Sequence, residues 1–187
     1  MQGLFNNGYV VKGLFDNEYS SSLPHYRGVE KFVSWPLDDY DDFLSKKLQD
    51  EAWDKWFGYQ NVLELVPERD YLQRYINHCK ELDIDTTIIQ IETPNNNQLA
   101  VEQLKIVDVL GFEYIAGVQY SYMHLKPKYM EEKFSETVRK LNTNILCNTL
   151  DDIYEFIGKY NQLLRCGENL ECLDNPVPAY LSIVKLD

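Results

Sequence analysis

Long apolar runs are missing from this sequence, and none approaches the ~18 residues that a membrane helix needs. The opening MQGLFNNGYVVKGLF also lacks the basic start and apolar block of a secretory signal, so the expectation is a cytoplasmic chain without membrane contact. Histidine is scarce: His25, His78 and His124 lie 53 and 46 residues apart, which leaves no HExxH-type ligand pair. CxxC spacing is absent among Cys79, Cys147, Cys166 and Cys172. That argues against a zinc ribbon and, with no export signal, against a disulfide framework; buried thiols are the expected state. GxSxG, P-loop and GxGxxG motifs are lacking as well. No catalytic residue, cofactor or metal is therefore assigned, and the expectation is that the chain is not an enzyme.

What is present is apolar and aromatic side chain in quantity. Hydrophobic residues make up 44% of the 187 and aromatics 13%, enough to exclude wholesale disorder and to bury a core in one domain. Charge is unevenly placed. Seventeen acidic and seven basic side chains, a net of −10 out of −12, fall between residues 37 and 125. Such a field repels phosphate backbones and anionic lipid and steers basic partners inward. Direct nucleic-acid binding is not expected, and solubility alone is the competing explanation of the charge.

Two short echoes, GLFNNGY at residues 3–9 and GLFDNEY at 13–19, read as strand segments punctuated by turns; residues 1–35 are a candidate N-terminal strand and turn arm. A short strand is expected at Asn61–Val66. The sequence PERDYLQRYINHCKELD predicts a helix with Tyr71, Leu72, Tyr75, Ile76, Cys79 and Leu82 inward. Ile84–Glu92 is rich in β-branched residues and predicts a strand. Apolar residues from Leu99 through Leu104 and Val107 to Leu110 match a helical spacing, closed by Gly111 as a left-handed cap. Phe112–Leu125 predicts a strand with a hairpin or bulge at Ala116-Gly117. Helices are expected at Pro127–Leu141 and, capped by Thr149 with Asp152, from there to Gly167; VPAYLSIVKL closes as a strand. The expected fold is a single α+β domain over residues 1–187, a mixed or antiparallel sheet with four or five helices packed against it.

The densest acidic stretch is SWPLDDYDDFLSKKLQDEAWDKWFGY, residues 34–59. An EF-hand loop starting at Asp39 would need glycine at its sixth position and glutamate at its twelfth; Leu44 and Asp50 stand there, so no calcium loop is expected. Tyr40, Phe43, Leu44, Leu48, Trp53, Trp56 and Phe57 recur at helical spacing. Asp38 or Asp39 can cap this helix, with Asp41 and Asp42 in its first turn. Asp42 with Lys46 and Glu51 with Lys55 are favourable pairs four apart, which leaves Asp38, Asp39, Asp41, Asp50 and Asp54 in excess. Trp53 and Trp56 are either core or interface anchors. The candidate partner-binding set is thus Asp38, Asp39, Asp41, Asp42, Asp50, Asp54, Trp53 and Trp56. The stripe Val118, Tyr120, Tyr122, His124 offers an alternative ligand-lining or contact face, with packing against a helix as its plain explanation. His78 and Cys79, adjacent on a helix, cannot face each other.

Leu110-Gly111, Phe112-Glu113-Tyr114, the strand QYSYMHL, the loop Leu141–Leu146, the helix TLDDIYEFIGKYNQLL and the closing VPAYLSIVKL together make residues 84–186 resemble small bacterial immunity proteins. Those proteins protect a producing cell from its own polymorphic or contact-dependent toxins. The resemblance implies an inhibitor that docks by shape and charge on a cognate toxin, often a nuclease, and it carries no site residue over because that group shares no catalytic motif. The expected partner is a cognate toxin or another basic protein. The alternatives are a subunit or scaffold of a cytoplasmic assembly, and a small enzyme or ligand-binding protein using Tyr120, Tyr122 and His124.

Overall fold

The computed structural model describes residues 3–14, 46–57, 65–95, 100–116, 119–120, 132–142, 146–168 and 177–186. In chain order these form β1 (Phe5–Leu14), α1 (Lys46–Ala52, continuing as a π-helical turn over Trp53–Phe57), α2 (Arg69–Glu81), β2 (Asp85–Thr93), β3 (Lys105–Ala116), β4 (Gln119–Tyr120), α3 (Ser135–Lys140), α4 (Leu150–Arg165) and β5 (Val177–Lys185). The strands make one sheet in the order β1-β2-β5-β3-β4, with every pairing antiparallel. The fold is α+β.

Residues directly opposed in antiparallel strands share a sheet face, so the register sorts the core. Val11 opposes Ile88, Ile88 opposes Val184, and Val184 opposes Ile106 on the first face. Over it lie α2 and α1, whose Tyr71, Tyr75, Ile76, Cys79, Leu48 and Trp56 join Val11, Ile88 and Val184 in one buried cluster. Further along the same face Phe112 opposes Tyr180 and Tyr114 opposes Pro178. There α4 packs, with Phe156 stacked on Tyr114 at 5.5 Å and Phe134 on Phe156 at 4.7 Å. Between the two clusters runs a polar row, Gln90 opposite Ser182. Both are buried, and Gln90 Oε1 and Ser182 Oγ have no hydrogen-bond partner among the described residues. The second face carries Val10, Ile89, Ile91, Ala179 and Leu181, buried together with Leu65 and Leu146.

The helices end where local chemistry stops them. In α2 the N–H of Ile84 reaches Cys79 O (2.9 Å) and that of Asp83 reaches Lys80 O (3.1 Å), a Schellman closure with Asp83 at φ 60°. In α4 the Thr149 hydroxyl accepts the N–H of Asp152 at 3.2 Å and donates to its carboxylate at 2.6 Å, as the Thr149 and Asp152 spacing predicted. Lys140 then ties α3 to α4 through Glu155 (2.9 Å) and Asp152 (3.3 Å).

Two expectations are corrected. Lys105–Leu110 is strand, not helix, and Gly111 caps nothing: it sits at φ 132° where β3 shifts register against β5 between Val109 and Gly111. A Cβ there would stand 2.8 Å from Asn142 Nδ2 and from Cys147 O, so glycine admits the Leu146-Cys147 segment to the strand edge. Asn6-Asn7-Gly8 is likewise no turn but an irregularity inside the single strand β1, with Gly8 at φ 127° admitting Leu65 and Val66. The N-terminal segment Phe5–Leu14 is an edge strand of the sheet, paired with β2; the remainder of the candidate arm, residues 15–35, lies outside the described residues. Of the strand expected at Asn61–Val66, residues 61–64 lie outside the described residues, and Val66 forms an antiparallel bridge with Tyr9.

Candidate functional site

Helix α1 turns a stripe of Leu48, Ala52 and Trp56, spaced by four, toward the core. The π turn that follows is wider than an α turn and keeps Trp56 in line with Ala52. Trp56 is 8% exposed and meets the Tyr71 ring edge-on at 4.8 Å. Trp53, one position past Ala52, is rotated outward and is 58% exposed. The two tryptophans are thus separated: Trp56 is core and leaves the candidate contact set, while Trp53 remains on the surface.

Asp50 and Asp54 flank Trp53 at three and one positions, and all three are exposed. The neighbouring carboxylate differs. Glu51 receives Arg74 Nη1 and Nη2 at 2.6 and 2.7 Å and Lys55 Nζ at 2.9 Å, bearing out the expected Glu51–Lys55 pair. Hydrogen bonding by Arg74, then by Lys55, holds the Glu51 carboxyl down at about 2. Lys55 also reaches Glu68 at 3.5 Å and lies over the Trp56 ring at 5.2 Å. Lys55 and Arg74 are spent on Glu51 and Glu68; Lys46 and Lys47 stand one turn before Asp50, but no ion pair forms on Asp50 or Asp54 among the described residues. The surface offers an indole between two carboxylates without an ion pair among the described residues, carried on a helix anchored from below by Leu48, Ala52 and Trp56. Sequence spacing alone could not find this division, because Arg74 is brought to Glu51 from α2, 23 residues away.

Asp38, Asp39, Asp41 and Asp42 lie outside the described residues, as do Tyr122 and His124. Tyr120 is in β4, opposite Ile115, so the hairpin expected near Ala116-Gly117 has antiparallel arms. Cys79 is buried, and burial pushes its thiol up to about 11; His78 instead lies 3.7 Å from Glu81, so the two form no catalytic pair. Among the described residues no group of three or more His, Cys, Asp or Glu is placed to hold a metal ion, and no helix is long and apolar enough to cross a membrane.

Comparison with known proteins gives little to set beside this geometry. No family model and no solved structure matches the chain. The chain is similar to the stonustoxin beta subunit of Synanceia horrida, 27% identical over an alignment 130 positions long that covers 62% of this chain and 18% of that protein.

Proposed function

We propose that the chain is an acidic protein-binding protein, not an enzyme, and that α1 is its contact surface for a basic partner. The observation that supports this reading is the exposed Trp53 set beside Asp50 and Asp54, which form no ion pair among the described residues. An aromatic anchor supplies affinity once desolvated, and flanking charge supplies register and association rate. In its finer form the protein is a cytoplasmic immunity protein that occludes the basic site of a cognate toxin, a nuclease being the toxin class that the resemblance of residues 84–186 favours. The experiment is affinity capture from lysate at low and at roughly physiological ionic strength, where screening over ~8 Å strips contacts made by charge alone. One basic protein held at both salts, with slower association at the higher, is expected; no captured partner at low salt overturns the reading.

A second reading is favoured by the similarity to a toxin subunit: the chain is a subunit or scaffold of a cytoplasmic assembly. The same capture separates the two, because an assembly subunit brings down a stable multi-chain complex that contains no inhibited toxin.

A further inference from the structure

The first half of β3 stands apart from the packed sheet. Five consecutive side chains from Lys105 to Val109 are exposed, among them Ile106, Val107 and Val109 at 45%, 42% and 50%. On one side β5 pairs with this segment. On the other, among the described residues, the contacts of β3 begin only later: Asn142 Nδ2 donates to Leu110 O at 2.7 Å, Cys147 bridges Phe112, and β4 meets Ile115 and Ala116. The open segment is nonetheless held in place. The Tyr9 hydroxyl donates to Glu102 O at 2.6 Å and accepts the N–H of Leu104 at 3.1 Å, which fixes the entry to Lys105.

An edge of β-branched apolar residues that is unpaired among the described residues is a template for another strand, and here the sequence selects which strand. Lys105-Ile106-Val107-Asp108 is self-complementary when laid antiparallel on a second copy about a two-fold axis between Ile106 and Val107. Lys105 of each copy then faces Asp108 of the other, and Ile106 faces Val107. The register with β5 places Lys105, opposite Lys185, and Asp108, opposite Ile183, on the same sheet face, as directly opposed ion-paired residues must be. Asp108 Oδ1 takes the N–H of Val109 at 2.8 Å, which steadies the carboxylate and leaves its other oxygen for the lysine. We propose that Lys105–Val109 is an isologous interface between two copies of this chain, closed by two cross-strand Lys105–Asp108 pairs. The short contact makes this a weak, concentration-dependent dimer.

The test is sedimentation equilibrium of the full chain, up to ~1 mM at about physiological salt, with circular dichroism to verify folding. Lys105→Asp and Asp108→Lys each put like charges opposite one another twice, so each alone weakens the dimer by about tenfold or more. The two combined restore opposite charges in reversed order and bring association back to within about threefold of the unaltered chain. Because both side chains are exposed in the single chain, all three variants fold. A chain that stays monomeric throughout overturns the proposal. So does a dimer indifferent to either single substitution, or a folded double variant that fails to recover.

Discussion

Arg74 on α2 grips both carboxylate oxygens of Glu51 on α1, at 2.6 and 2.7 Å. This contact joins α1 to α2 at the surface and, by engaging Arg74, separates a structural carboxylate from the exposed pair Asp50 and Asp54.

The Glu51 contact has a pH signature. The carboxyl titrates at about 2 in the folded chain against an ordinary 4.5. A depressed folded value means the contribution is present above the unfolded value and disappears as pH falls from about 4.5 toward 2. Arg74 is 44% exposed, so water screens the pair and Glu51→Gln is expected to cost about 1 kcal/mol at neutral pH. Urea midpoints of the two proteins should converge as the pH approaches about 2; a gap that persists there contradicts the assignment.

The tryptophans should part company. Trp56→Ala removes a core ring and is expected to destabilise by roughly 3–5 kcal/mol, with no effect on partner affinity that refolded protein does not recover. Trp53→Ala should leave stability within about 0.5 kcal/mol and cost about 2 kcal/mol of binding. Chemical denaturation together with titration calorimetry distinguishes the two.

Gly111 distinguishes strand from helix. At a helix cap Gly→Ala would cost about 1 kcal/mol. At this irregularity the new methyl meets Asn142, Cys147 and Leu146 at a positive φ, and a loss of about 2–4 kcal/mol is expected. A cost of 1 kcal/mol or less in guanidinium unfolding would restore the helical assignment.

Ser182→Ala is expected to stabilise the fold by about 1 kcal/mol, since it deletes a buried hydroxyl that has no hydrogen-bond partner among the described residues. Destabilisation measured by thermal unfolding would mean that the hydroxyl is bonded in solution.

Much of this fold was legible where periodicity was clean. The inward set of α2, apart from Leu82, which follows the last turn and is exposed, the Thr149 cap of α4, and the β-branched strands β2 and β5 all follow from spacing. The stretch before Gly111 failed for a physical reason: register shifts between Ile106 and Asp108 and between Val109 and Gly111 break the two-residue alternation of a strand. What remained, Leu104, Val107 and Leu110, copied the three-residue step of a helix. The β-branched run Ile106, Val107, Val109 was the available counter-signal. At the candidate site the helix itself was legible, but the division of its tryptophans was not, because Trp53 and Trp56, three apart, fit one helical face, whereas the core takes the four-step stripe Leu48, Ala52 and Trp56 and leaves Trp53 exposed. The neutralising Arg74 lies on another helix, and spacing along one segment cannot show it.

The central claim is that Trp53, Asp50 and Asp54 form the contact surface. Its most direct test is parallel capture from one lysate by the unaltered chain and by a variant carrying Asp50→Lys, Trp53→Ala and Asp54→Lys, all exposed positions that leave the fold intact. A basic protein is expected to be retained by the first and lost from the second, with binding to the first slowing as salt rises. Retention of the same protein by both chains would contradict it.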